Sequence, residues 1–244
     1  MKRFFLALQF LTILPIKVKP KLEKEDFGKS LLWFPFVGAL IGIILSLSVF
    51  FLSFLPKGVI AALILIESII ITGGIHLDGF ADTCDGLYGF STKEKSLEIM
   101  RESRIGTMAA IGVALLLLLK FSLFASIRQE ILWKYLISMM IFSRWAQAWA
   151  CSSFPYAREE GKAKYFVEYA GKRQLIIGAI FTLAFFILLW GVKGLVLFLS
   201  SFFVIWVLAN YIYRKISGMT GDTIGAVNEV AEVSALLFGL ILSV

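Results

Sequence analysis

Charge is scarce in this chain. Only 17% of its 244 residues are Asp, Glu, Lys or Arg, where soluble domains carry about a quarter. That scarcity, with 59% hydrophobic residues and a mean hydropathy of +0.86, excludes an ordinary water-soluble fold. Lipid must be the solvent for most of the surface. Only 5 prolines and 20 glycines are present, so no low-complexity tract exists, and the apolar content excludes disorder. The two cysteines, Cys84 and Cys151, fall in or beside segments assigned below to the cytoplasmic side, which argues against a structural disulfide. Two thiols at that separation do not suggest a metal centre either. No extramembrane stretch is long enough for a soluble domain, and no internal repeat is apparent. The net charge of +7 could suggest nucleic acid. In a membrane protein it reads instead as basic loops retained in the cytoplasm.

A crossing needs about 20 apolar residues, and the candidate spans are 31–55, 59–75, 105–127, 131–150, 174–192, 194–213 and 224–244. Residues 1–30 read as an interfacial segment or re-entrant lip, with Lys17, Lys19, Lys21, Lys24 and Lys29 following a short apolar run. Of the 24 basic residues, eighteen fall on one side of this arrangement and three on the other. Lys120, Lys134 and Arg144 remain inside spans. The expectation is therefore a single all-α polytopic domain, residues 1–244, with about seven transmembrane helices. Its N-terminus lies in the cytoplasm and its C-terminus outside, in the cytoplasmic (inner) membrane. Residues 76–104 and 151–173 form cytoplasmic loops, so any chemistry faces the cytoplasm.

The segment from Thr72 to Gly86 is the most informative. Asp78, Asp82 and Asp85 recur at i, i+4 and i+7, which on a helix sets three carboxylates on one face. Nothing cationic in the segment pairs with them. A divalent cation resolves the repulsion, and hard oxygen donors favour Mg²⁺ or Mn²⁺ over zinc. The plain alternative is a solvated acidic face. Gly73, Gly74, Gly79 and Gly86 allow a backbone or a phosphate to approach closely. The single histidine, His76, can polarise a substrate oxygen, act as a base, or simply be hydrogen bonded at the interface.

Asp78-Gly79-Phe80-Ala81-Asp82 shares some character with the CDP-alcohol phosphotransferases, but the arginine and the long spacer of their signature are missing. The stretch Thr72–Leu87 resembles, almost residue for residue, the central motif of the cobalamin synthase family, the adenosylcobinamide-GDP ribazoletransferases. Further stretches agree in order: Phe10–Pro15, Met100–Thr107, Pro155–Arg158 with Gly161, and Thr220–Ala226 with Glu229 and Glu232. Cys84 stands where that family would be expected to have a small residue, and Ile16-Lys17 departs from the proline expected after Pro15.

The resemblance implies attack of a hydroxyl of α-ribazole, or of α-ribazole 5′-phosphate, on the cobinamide-linked phosphorus of adenosylcobinamide-GDP, with GMP leaving. Such chemistry asks for Mg²⁺ on phosphate oxygens, cations around the leaving group and a carboxylate or histidine near the nucleophile. On this reading Asp78, Asp82 and Asp85 hold the metal. Asp82, His76, Asp222 and Glu229 are the catalytic candidates. Arg101, Arg104, Arg158, Lys162 and Glu232 are the substrate contacts, the guanidinium groups binding phosphate bidentately. Positive-inside anchoring is the bland alternative for the arginines, and helix capping for Asp222 or Thr223. Asn228, Glu229 and Glu232 form one polar stripe running into lipid depth. Asp222 and Glu229 are expected to face the aspartate helix across one cytoplasm-open cavity. Arg144 either snorkels or pairs with a carboxylate, and Glu67 either makes a packing hydrogen bond or serves function. Partners are the two substrates and the bilayer, not nucleic acid, with an oligomer left open. A lipid-forming phosphotransferase, and a transporter coupled through Glu67, Glu229 and Glu232, are the competing functions. The one-sided polar clusters and the absence of a repeat speak against transport.

Overall fold

The computed structural model describes residues 1–16, 21–89 and 92–243; Lys17 and Lys19 of the basic stretch lie outside the described residues. Among these residues the chain is entirely helical. Two short helices, α1 (Lys2–Leu11) and α2 (Lys24–Ser30), open it. Asp26, buried at the start of α2, takes Lys2 at 2.7 Å and Arg3 at 3.1 Å, tying the two together. The N-terminal segment is thus a cap on the bundle, with Leu6, Ala7, Leu8 and Leu11 buried.

The long helices follow: α3 (Phe34–Phe51), α4 (Lys57–Thr72), then the shorter α5 (Ile75–Leu87) and α6 (Lys93–Ile99). After them come α7 (Thr107–Ser126), α8 (Gln129–Ser153), the single-turn α9 (Lys164–Glu168), α10 (Lys172–Trp190), α11 (Lys193–Ile216) and α12 (Gly221–Ser243). Among the described residues five helices are long and apolar enough to cross a membrane: Lys24–Phe51 as one run, α7, α10, α11 and α12. A sixth is counted if α4 and α5, bent by 91°, form one span. Exposed side chains such as Ile176, Ile180, Leu188 and Phe203 form the kind of apolar exterior that only lipid can cover.

α8 fails that test of length and hydropathy, and its environment explains why. Every residue from Ser138 to Cys151 is buried, so this part of the helix is enclosed by protein on all sides. It can therefore carry Ser138, Ser143, Arg144 and Gln147 without presenting them to lipid. α3 and α12 pack along it, and a Cβ at Gly42 of α3 would fall 2.7 Å from the Ile137 Cα, so this contact is backbone against backbone.

Candidate active site

The site is built on α5. Gly73 and Gly74, both left-handed at φ 64° and 70°, stop α4 and turn the chain through 91°. α5 therefore turns away from the axis of α4 and lies against the first turns of α7 and α12. A Cβ at Gly79 would sit 2.7 Å from the Asp222 carbonyl oxygen, and one at Gly225 3.1 Å from that of His76. These glycines let α5 and α12 meet at backbone contact, bringing Asp222 alongside the aspartate helix.

A second segment is fixed to the same place. Ala157 N–H donates to the Met219 carbonyl at 2.9 Å, and Met219 N–H to that of Pro155 at 2.8 Å. This parallel bridge aligns residues 155–158 with the start of α12. Arg158 Nη2 comes to 2.8 Å from Asp222 Oδ2 as an ion pair, while its buried Nε finds no hydrogen-bond acceptor among the described residues. Asp222 is not the cap of α12. Thr220 and Thr223 cap it reciprocally, Thr223 N–H donating to Thr220 Oγ1 at 3.2 Å and Thr220 N–H to Thr223 Oγ1 at 2.8 Å. That leaves the Asp222 carboxylate for the cavity.

Two cavities open on either side of α5. One, about 490 Å³, is lined by His76, Asp78, Tyr156, Arg158, Lys162 and Asp222, among others. The other, about 420 Å³, is lined by Asp78, Asp82, Arg101 and Arg104 with Leu77 and Met100. Asp78 belongs to both. Burial, followed by the charges of Asp222 and Asp78, pushes the Asp82 carboxyl up to about 6, with Arg158 working the other way. Of Asp78, Asp82 and Asp222, only Asp222 has a cation at ion-pair distance among the described residues.

The comparisons with known proteins bear on this arrangement. The family model described as cobalamin-5-phosphate synthase matches residues 3–240. Three proteins named adenosylcobinamide-GDP ribazoletransferase align over 97% of this chain. The Acetivibrio thermocellus protein is 37% identical with 96% of its own length covered, and that of Clostridium acetobutylicum 37% with 94% covered. The protein of a Thermoanaerobacter species is 38% identical with 96% covered. The chain belongs to the cobalamin-5-phosphate synthase family. No solved structure matches it.

Within this member of the cobalamin-5-phosphate synthase family, the remaining candidate residues fall elsewhere. Asp85 was expected as a third metal ligand beside Asp78 and Asp82. Its carboxylate instead accepts from Gly106 N–H at 2.6 Å and Ala109 N–H at 2.8 Å, holding the first turn of α7 as a cap does. Among the described residues no three His, Cys, Asp or Glu side chains gather as a preformed metal centre. Donor chemistry still suits a hard cation, because Asp78, Asp82 and Asp222 offer only oxygen and crowd negative charge around α5.

Glu229 and Glu232 do not line either cavity. Both are buried and bound to Lys120 of α7, Glu232 at 2.7 Å. Arg144 of α8 donates from Nη1 to Glu232 Oε1 at 2.5 Å and to Asn228 Oδ1 at 2.7 Å. The polar stripe of α12 therefore divides: Asp222 faces the site, and the glutamates close an ionic network in the bundle interior. Of the two alternatives for Arg144, it pairs. Lys120 was left in the sequence as a leftover cation, although a lysine inside Leu116–Leu123 signals a carboxylate across the interface. Glu67 accepts from Ser48 Oγ at 2.8 Å, a packing bond between α3 and α4. Cys84 and Cys151 are both free.

Proposed function

We propose that the chain joins adenosylcobinamide-GDP to α-ribazole, or to α-ribazole 5′-phosphate, with release of GMP. The observation that carries this reading is the shared position of Asp78 between two cavities, each furnished with arginine. One phosphoanhydride and one separate nucleophile need adjoining places with cations on both sides. Volumes of about 490 and 420 Å³ are in the range of small-molecule sites.

Asp78 and Asp82, with Asp222 across the helix contact, would hold Mg²⁺ or Mn²⁺, which when bound neutralises charge on the anhydride oxygens. Arg101 and Arg104 then face the guanosine diphosphate portion. Arg158 and Lys162 face the ribazole side, where the unfilled Nε of Arg158 suits a phosphate oxygen. In the transfer step the ribazole hydroxyl oxygen bonds to the cobinamide-linked phosphorus. The phosphorus–oxygen bond to GMP breaks, and the hydroxyl proton passes to a carboxylate of the Asp82–Asp222 pair.

The same reading makes the bundle a seven-span protein of the cytoplasmic membrane with its N-terminus in the cytoplasm. The two crossings beyond the five long apolar helices are α8, whose buried polar residues lower its hydropathy, and α4, which at 16 residues is short for a span. The charge asymmetry of the loops supports it, as does the collection of every motif at one end of the bundle. Alkaline-phosphatase fusions test the orientation: one after Ser243 should be active and one after Lys95 inactive, and the reverse pattern overturns it.

Incubating membranes carrying the protein with adenosylcobinamide-GDP, α-ribazole and Mg²⁺ tests the chemistry. Equimolar GMP and adenosylcobalamin are expected. No product with either ribazole form, or full activity in EDTA, would remove the reading or its metal respectively.

A further inference from the structure

His76 is the only histidine of the chain, and its tautomer is written into the interior of the bundle. Arginine has donors and no acceptor. Arg144 Nη1 meets Asn228 Oδ1 at 2.7 Å, which fixes that atom as the amide oxygen. The other end of Asn228 agrees, because Nδ2 donates to Glu232 Oε1 at 3.1 Å. Gln147 Nε2 lies 2.7 Å from the same Asn228 oxygen, so the Gln147 amide must present its NH₂ group there. That same nitrogen is 3.4 Å from His76 Nε2. A group that can only donate faces the ring, so His76 Nε2 carries the lone pair and Nδ1 carries the proton.

No described residue accepts from Nδ1, while His76 lines the cavity that holds Arg158 and Asp222. Every member of the chain of contacts is buried: Arg144, Asn228, Gln147 and His76. Water therefore does not compete for these orientations.

We propose that the relay Arg144–Asn228–Gln147 is a device for holding His76 as the Nδ1–H tautomer. His76 thereby serves as a hydrogen-bond donor to an oxygen of the phosphoanhydride substrate rather than as the proton acceptor. Gln147 is a positioning residue: it acts on the reaction through the ring it orients. The donor role rests on the transfer reaction proposed above; the tautomer does not.

One histidine gives one pair of ring nitrogen signals, which makes the test direct. The full-length protein is labelled with ring-¹⁵N histidine, placed in lipid nanodiscs and examined by NMR at pH 8. The expected spectrum has a protonated Nδ1 and an unprotonated Nε2. Gln147→Glu exchanges the donor for an acceptor and should move the proton to Nε2. Gln147→Leu should give a mixture of both forms. For transfer, Gln147→Glu should lower kcat at least thirtyfold with KM for adenosylcobinamide-GDP changed less than threefold. His76→Asn, whose amide nitrogen replaces Nδ1, should keep at least ten times the activity of His76→Gln, whose nitrogen replaces Nε2. A wild-type ring protonated at Nε2 overturns the relay without any variant needing to fold, as does a Gln147→Glu spectrum identical to wild type. Equal activity of His76→Asn and His76→Gln overturns the donor role. The expected wild-type tautomer in a protein that makes no adenosylcobalamin would leave the relay standing and sink the transfer reading instead.

Discussion

Asp222 and Glu229 lie seven residues apart on α12, about 10 Å along its axis, yet their surroundings are opposite. Around Asp222 the carboxylates crowd together: of Asp78, Asp82 and Asp222 only Asp222 has a cation in ion-pair contact among the described residues, Arg158 at 2.8 Å. Burial, followed by the charges of Asp222 and Asp78, pushes Asp82 up to about 6. Around Glu229 the count balances, with Glu229 and Glu232 against Lys120 and Arg144. The first group borders two cavities; the second is sealed in the bundle. Identical residue types thus do different work according to whether their charge is answered within the protein. An unanswered set waits for a ligand, and an answered set fixes helices.

The largest effect should come from breaking the answered set. Glu232→Gln leaves Arg144 and half of Lys120 uncompensated in a buried place, and should cost about 3–5 kcal/mol of stability. Replacing Lys120 and Glu229 together by methionine keeps the Arg144–Glu232 pair and removes a balanced pair. It should cost less than Glu232→Gln alone. Thermal unfolding in one detergent compares the two, and a double replacement more damaging than the single would contradict the charge-balance account.

The unanswered set should respond in activity instead. Asp78→Asn and Asp82→Asn are expected to lower transfer by at least a hundredfold, about 2.7 kcal/mol of barrier, with the melting temperature unchanged or raised. Losing a carboxylate from a crowded group relieves repulsion, so a rise is the natural sign. For Asp82→Asn any gain should grow as the pH rises from about 4, where the unfolded carboxyl ionises, to about 6, where the native one does, and stay constant above that. A protein that melts lower at pH 8 would show that these acids serve the fold. Asp222→Asn keeps the hydrogen-bonding shape but loses the charge opposite Arg158, and a tenfold loss, about 1.4 kcal/mol, is expected.

Much of this division is unreadable from spacing. Hydropathy locates α3, α7, α10, α11 and α12 because their exteriors meet lipid, and the acid repeat Asp78–Asp82–Asp85 marks α5 as unusual. The motif at 155–158 and that at 220–226 were both legible as site segments, and a bridge between them brings Arg158 to Asp222. Spacing gives the face of a helix but not the neighbour that covers it. Glu229 and Asp222 therefore read alike until α7 is seen to deliver Lys120 to one of them. α8 is obscured for the same reason: its Arg144 and Gln147 lower its hydropathy, and only enclosure by other helices makes them affordable. Thr223 competed in the sequence with Asp222 for the capping role, and the hydrogen bonds give it to Thr223 together with Thr220.

Asp85 provides the finest test, since it belongs by sequence to the unanswered set and by contact to the answered one. Both its oxygens accept amide protons from the first turn of α7, and a Cβ at Gly106 would lie 2.6 Å from Asp85 Oδ1, so the fit is close. A cap of this kind contributes about 1 kcal/mol. Asp85→Ala should lower stability by that amount and leave kcat within threefold of wild type once Mg²⁺ is saturating. Asp85→Asn retains one good acceptor and should recover about half of the lost stability. The contrary result is a hundredfold loss of kcat in Asp85→Ala with unaltered melting. It would return Asp85 to the metal set, and the α7 amides would then be contacts that the bound state gives up.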